Sequence, residues 1–163
     1  AIRDDDPVFV FEDNSLWFQS GPVPEGEHLV RIGEAALRRE GGDVTLVAIG
    51  GSQKAALAAA DELAAQGISA EVIDPRTLVP LDRPAILESV AKTGRLVIVD
   101  PANRTNGAAA EISAIVAEEA FDCLRRGIVR VTTPDLPMPF SPALEQPLYP
   151  SQAGIVAAVQ KLF

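Results

Sequence analysis

From residue 43 onwards, short apolar runs alternate with longer segments in which apolar residues recur at helical spacing. The runs are rich in Val, Ile and Leu without alternating polar positions, which is typical of strands buried on both faces of a parallel sheet. The runs cover residues 44–49, 70–73, 96–99 and 128–132. Because each is followed by a helical segment long enough for a crossover, the order predicts parallel strands joined right-handedly.

The segments between the strands have the periodicity of amphipathic helices, with one apolar face each. We expect the third of these helices to open at Thr105 or Asn106 and to carry Cys123 on its apolar stripe as a small core residue. The predicted N-caps, whose side-chain oxygens accept free N–H groups of the first turn, are Ser52, Asp82 and Ser151. The sequence therefore predicts an α/β fold: a doubly wound, mainly parallel sheet of about five strands with helices on both faces.

The first quarter of the chain does not follow this alternation of strands and helices. Residues 8–11 have the composition of a strand but no helix follows, and residues 13–33 contain Gly and Pro as in a meandering connection. Residues 34–38 are a candidate antiparallel edge strand. We therefore predict that residues 1–33 are the last strand of a preceding domain plus a linker, and that residues 34–163 form the α/β domain.

Residues 135–145 form a segment that is unusually rich in proline. Pro137, Pro139 and Pro142 cannot donate to a sheet ladder, and each favours extended geometry in the residue before it. This pattern predicts a stiff, extended connector lying on a surface. An ordinary loop of the same length is the alternative interpretation.

Composition excludes several classes of protein. The chain has 163 residues, 47% of them apolar and 23% charged, which is ordinary globular composition. It has no apolar run long enough to span a membrane and no secretory signal. One cysteine excludes an internal disulfide and fits a reducing compartment, so we expect a cytoplasmic location. A net charge of −9 argues against binding to nucleic acid or to an anionic membrane.

Ligands of open α/β sheets bind beyond the carboxyl ends of the strands. There, Arg76 and Arg104 lie beside Asp74 and Asp100, which predicts either local salt bridges or guanidinium forks that recognise another subunit. The glycine-rich turn at residues 50–52 matches no phosphate-binding motif. With a single histidine, His28, in the linker, the sequence predicts no catalytic, cofactor-binding or metal-binding residue.

Two motifs and several shorter segments resemble one family. Residues 76–82 read Arg-Thr-Leu-Val-Pro-Leu-Asp, and residues 135–145 read Asp-Leu-Pro-Met-Pro-Phe-Ser-Pro-Ala-Leu-Glu. The supporting segments are residues 9–12, 23–26, 39–47, 92–96, 104–105 and 117–121. Together they resemble the C-terminal half of the β subunit of thiamine-diphosphate-dependent 2-oxoacid dehydrogenases, a transketolase C-terminal-type domain.

The resemblance implies a role in the decarboxylating component of a pyruvate, branched-chain or acetoin dehydrogenase complex. Thiamine diphosphate and Mg²⁺ would be held by other domains of the complete enzyme, and this chain would bind neither. The implied partners are an α subunit, a second β subunit and the lipoyl acyltransferase core, in the cytoplasm or in the mitochondrial matrix. The candidate subunit-interface or channel residues are Glu12, Asp100, Arg104, Thr105, Asp135, Pro137 and Pro139.

One departure from the family pattern changes the chemistry at the sheet edge. A His-Glu pair is usual where this chain has Asp100 and Pro101, so an imidazole is replaced by a carboxylate beside a rigid ring. Two other functions therefore stay open. The chain is either a diverged binding module of the same fold or the C-terminal part of an enzyme similar to deoxyxylulose-phosphate synthase.

Overall fold

The computed structural model describes residues 1–163 and contains one five-stranded sheet. The strands are β1 (Ala36–Arg39), β2 (Val44–Ala48), β3 (Ala70–Asp74), β4 (Leu96–Asn103) and β5 (Val129–Thr133). They lie in the order β1-β3-β2-β4-β5. Strands β3, β2, β4 and β5 are parallel, whereas β1 pairs with β3 in the antiparallel direction. The mainly parallel sheet and its antiparallel edge strand are confirmed.

Five α-helices connect and follow the strands. They are α1 (Ser52–Ala65), α2 (Arg83–Thr93), α3 (Ala108–Glu119), α4 (Pro142–Glu145) and α5 (Gln152–Gln160). Helices α1 and α5 pack with one face of the sheet into one hydrophobic cluster. Helices α2 and α3 pack against the other face in a second cluster. Helices therefore cover both faces, which confirms the doubly wound architecture.

Local sequence signals set most element boundaries. Asp82 accepts a hydrogen bond from the Ala85 N–H at 3.2 Å, and Ser151 caps α5 through the Gly154 N–H at the same distance. Gly94 ends α2 at a positive φ of 70°, a conformation that a side chain would disfavour. Ser52 is not a cap: it is the buried first residue of α1, and Gly51 precedes it without a side-chain cap.

Helix α3 begins later than the sequence predicts, at Ala108 rather than after Thr105 or Asn106. Asn106 has a positive φ of 59°, so the chain cannot continue there as a right-handed helix. The helix also ends at Glu119, and a separate 3₁₀ turn (Phe121–Cys123) follows. Cys123 is therefore exposed, and the prediction that it packs in the core is wrong.

Residues 8–11 also differ from the prediction, because they form no strand. Phe9 and Phe11 are 86% and 91% exposed, since no neighbouring strand is present to complete a ladder. Their assignment to a preceding domain stays a prediction. The connector lies on the surface, but its last residues turn into the one-turn helix α4 instead of staying extended. None of the helices is both long and apolar enough to cross a membrane.

Candidate functional site at the carboxyl edge of the sheet

Asp100 is an internal anchor at the carboxyl end of β4. Its side chain is buried, with the residue only 2% exposed. One carboxylate oxygen accepts the Ala102 N–H at 2.9 Å, and the other accepts the Ala109 N–H in the first turn of α3 at 2.9 Å. A negative charge at a helix N-terminus is stabilised by the helix dipole and satisfies a free N–H group. Asp100 therefore positions the loop between β4 and α3 and is not itself available to a partner.

Thr105 and Asp135 join that loop to the start of the connector. The Thr105 hydroxyl and backbone N–H donate to the two Asp135 carboxylate oxygens at 2.6 and 2.9 Å. The hydrogen bond from the Thr105 hydroxyl is the largest of the effects that hold the pKa of the Asp135 carboxyl below its ordinary value. The connector thus leaves the sheet edge in a fixed direction, with its first residue ionised at neutral pH.

Arg104 lies in the same loop and exchanges hydrogen bonds with β5. Its guanidinium donates to the Arg130 carbonyl at 3.4 Å, and the Arg130 guanidinium donates to the Arg104 carbonyl at 2.9 Å. The chain contains five ion pairs, and neither Arg104 nor Arg76 takes part in any of them. The interpretation of these arginines as local salt bridges is therefore wrong. Two guanidinium charges at this edge have no carboxylate within ion-pair distance.

The connector, which follows β5, presents an apolar surface on the side of the sheet edge where Arg104 lies. Leu136 and Met138 are each 42% exposed, and the Phe140 ring is fully exposed. Pro137 is exposed and Pro139 is half-buried, so the proline rings stiffen the segment next to its apolar side chains. Glu12 is exposed in the linker, and no hydrogen bond or ion pair joins it to the other candidate residues. The structure thus brings together Asp100, Arg104, Thr105 and Asp135, with the prolines following directly.

Asp13 makes a structural contact that the sequence does not predict. One of its carboxylate oxygens accepts the Gly51 N–H at 2.9 Å, across the turn that precedes α1. The other accepts the Ser15 hydroxyl at 2.6 Å and the Ser15 N–H at 2.9 Å. These bonds, led by that from the Ser15 hydroxyl, outweigh burial and hold the pKa of Asp13 below its ordinary value. The Asp-x-Ser spacing is the only local signal, and it predicts the turn but not its distant partner.

The edge supplies hydrogen-bonding and apolar surface but no acid–base pair. No three His, Cys, Asp or Glu side chains lie together as metal ligands would. His28 is exposed in the linker, and Ser141 is exposed at the start of α4. A catalytic base needs to lie within hydrogen-bond reach of a nucleophile or substrate, and these residues have no such neighbour. The arrangement is suited to binding another surface.

Comparison with known proteins finds relatives that align with nearly the whole chain. Residues 33–155 match the family model "Transketolase, C-terminal domain". The chain is 47% identical to the acetoin:2,6-dichlorophenolindophenol oxidoreductase β subunit of Bacillus subtilis, over 99% of this chain and 47% of that protein. It is 44% identical to the pyruvate dehydrogenase E1 β subunit of Rickettsia felis, over 99% of this chain and 50% of that protein.

A solved structure extends the likeness to three dimensions. A split-gene transketolase, described as an inactive β4 tetramer, superposes with a TM-score of 0.73 at 33% identity. The match covers 82% of this chain and 43% of that one. The chain thus spans about half the length of the curated relatives that it matches. On the match over residues 33–155, together with the fold, the chain belongs to the family of transketolase C-terminal domains.

Proposed function

We propose that this chain is the C-terminal assembly domain of the β subunit of the decarboxylating component of a 2-oxoacid dehydrogenase. The complete enzyme would oxidatively decarboxylate a 2-oxo acid and transfer the acyl group to a lipoyl group. Relatives named as acetoin oxidoreductase and pyruvate dehydrogenase β subunits, each aligned over nearly all of this chain, support the assignment. They differ in substrate, so the identity of the 2-oxo acid is left open.

The proposal rests on the surface at the carboxyl edge of the sheet, where Arg104 and the connector lie side by side. Arg104 offers a guanidinium without an ion-pair partner, and the adjacent connector exposes Leu136, Met138 and Phe140. Arginine and aromatic side chains dominate the binding energy of many protein interfaces. The bonds between Thr105 and Asp135 hold both parts in one geometry, which lowers the entropy cost of binding a partner. An α subunit, a second β subunit or the acyltransferase core would contact this surface.

In this role the chain itself would bind neither thiamine diphosphate nor Mg²⁺. Other domains of the complete enzyme would hold them. The site described above contains no cluster of carboxylates for a metal ion. The chain's own residues would position subunits around the cofactor. A cytoplasmic or matrix location agrees with one unpaired, exposed cysteine. A diverged binding module of the same fold is the second candidate, favoured by Asp100 in place of the usual histidine.

Titration with the cofactor distinguishes an assembly domain from a complete active site. Calorimetric titration of the chain with thiamine diphosphate and Mg²⁺ is expected to show no heat beyond dilution, because its single histidine and its carboxylates form no shared site. The α and β subunits of an intact relative, titrated in the same buffer, provide the positive control. Saturable binding by this chain with a dissociation constant in the micromolar range would contradict the assignment.

The connector prediction tests the surface itself. Replacing Pro137 and Pro139 by alanine lets the connector sample more conformations in the isolated chain, and ordering it again on assembly would cost about 0.4–1 kcal/mol at each position. We expect assembly with partner subunits to weaken by about 4- to 30-fold, whereas the Tm of the isolated chain falls by less than about 2 °C. Pro84→Ala, an exposed proline at the start of α2, is the matched control. A lower Tm with unchanged assembly would show that the connector is structural only.

A further inference from the structure

A second cleft lies at the carboxyl ends of β2 and β3, and neither the assembly surface nor the comparisons account for it. Its volume is about 490 Å³, within the range of small-molecule sites. Apolar side chains form part of its wall, namely Leu16, Ile49, Leu57 and Leu78. The linker contributes Leu16, and the bond from the Gly51 N–H to Asp13 holds the linker in place beside the cleft.

Three cations from three different elements line this cleft. Arg38 comes from β1, Lys54 from the first turn of α1, and Arg76 from the loop after β3. None of them belongs to an ion pair. The one carboxylate in the lining, Asp74, accepts the Arg76 N–H at 3.0 Å. The cleft therefore carries a net positive charge in a chain whose net charge is −9.

Gln53 determines which hydrogen-bonding group a ligand of the same cleft should carry. The residue is 9% exposed and lines the cavity. Its side-chain amide nitrogen donates to the Ala48 carbonyl and, at 3.3 Å, to the Ile73 carbonyl, which fixes the orientation of the amide. The amide oxygen is buried and has no hydrogen-bond partner. A buried acceptor without a donor is unfavourable, so this position favours a ligand that brings an N–H or O–H group.

From these contacts we propose that the cleft binds a small phosphorylated molecule. The phosphate oxygens would be bound by Lys54, Arg38 and Arg76, because charge-assisted hydrogen bonds from such cations are the strong ones. A hydroxyl of the ligand, or the O–H of monohydrogen phosphate, would donate to the Gln53 amide oxygen. The side chains provide this binding rather than the α1 N-terminus, where Asp13 already accepts the Gly51 N–H.

Nuclear magnetic resonance titration of the whole chain with inorganic phosphate, sulfate and glycerol 3-phosphate tests the proposal. At matched ionic strength near pH 7.5, monohydrogen phosphate has an O–H donor and sulfate has none. We expect phosphate to shift the Gln53 side-chain amide and the backbone amides of residues 50–54 saturably, and sulfate to bind more weakly. Tighter binding of glycerol 3-phosphate than of phosphate would assign the site to an organic phosphate, and the reverse order to free phosphate; both support the proposal.

Matched variants make the result specific. Lys54→Met and Arg76→Gln remove exposed cations of the cleft, and each is expected to weaken phosphate binding by about tenfold or more. Lys161→Met, an exposed lysine at the end of α5, is expected to bind as the unchanged chain does. Equal binding of sulfate and phosphate, unchanged affinity in Lys54→Met, or no saturable shift would each overturn the proposal. None of these outcomes bears on the assembly role.

Discussion

Replacing Lys92 by methionine is expected to lower the free energy of unfolding by about 3 kcal/mol at neutral pH, because it removes one partner of a buried ion pair. The Glu71 side chain is only 4% exposed on β3, and the Lys92 ammonium on α2 is its sole cationic partner. Since half of the Lys92 side chain is in contact with solvent, the expected loss is at the low end of the range for broken buried pairs.

The contribution of Glu71 to the pH dependence of stability should change sign in the same variant. Burial raises the pKa of Glu71, but hydrogen bonds from Lys92, Ser89 and the Gly41 N–H outweigh it and lower the pKa below its ordinary 4.5. This contribution to stability is therefore present above pH 4.5 and is lost as the pH falls through the folded-state pKa. Without Lys92, burial is expected to raise the pKa, so that stability is lost as the pH rises.

Denaturant unfolding between pH 3 and 8 measures both effects. Lys161→Met removes an exposed lysine at the end of α5 and controls for the loss of one positive charge. The double variant Glu71→Gln with Lys92→Met no longer buries a charge, and it should recover a large part of the lost stability. If Lys92→Met and Lys161→Met unfold at the same denaturant concentration at pH 7, the pair does not stabilise the fold.

Asp100→Ala is expected to cost about 3 kcal/mol, because one buried and one part-buried backbone N–H group lose their acceptor. Those groups belong to Ala102, in β4, and to Ala109, in the first turn of α3. The N-terminal turn of α3 and the loop that carries Arg104 should loosen together. Assembly through the carboxyl edge should therefore weaken as well as folding.

Hydrogen exchange and denaturant unfolding separate the local from the global effect. Protection should fall first at the amides of Ala102 and Ala109 and at the start of α3. Asp122→Ala is the matched control, because Asp122 is exposed and its side chain accepts no hydrogen bond within the chain. Unfolding of Asp100→Ala at the same denaturant concentration as Asp122→Ala would contradict the role of Asp100 as an anchor.

The features that could be predicted from the sequence are those fixed by local chemistry. Asp82 and Ser151 cap their helices through an N–H group three residues ahead, so both helix starts are visible in the sequence. The β2 run is buried at every position, and its continuous apolar pattern indicates a central parallel strand. The order of strands and helices then leaves few topologies to consider.

The features that could not be predicted depend on distant partners. The acceptor at the start of α3 is Asp100, nine residues before Ala109, so no capping signal stands beside the helix. Cys123 falls in register with the α3 stripe but lies beyond the end of that helix. Residues 8–11 have strand composition but no neighbour to pair with. The cleft at the carboxyl ends of β2 and β3 joins Arg38, Lys54 and Arg76, which are far apart in sequence.

The central claim is that this chain is an assembly domain, and its state of association tests that claim most directly. Large aromatic side chains of the linker and the connector are exposed, namely Phe9, Phe11, Trp17, Phe18 and Phe140. Each such ring can bury on the order of 150–250 Å², so the rings together exceed the apolar patch of a few hundred Å² that a monomer normally exposes. Repulsion from the net charge of −9 is screened beyond about 8 Å at physiological salt, so contact burial should prevail.

Sedimentation velocity of the isolated chain over a roughly hundredfold concentration range, at physiological salt, makes the measurement. We expect a dimer that dissociates on dilution, and a shift towards monomer in the variant Phe9→Ser with Phe11→Ser. Phe121→Ser, which removes an exposed ring outside the linker and the connector, should associate as the unchanged chain does. A species that stays strictly monomeric throughout the range would contradict the assignment of this chain as an assembly domain.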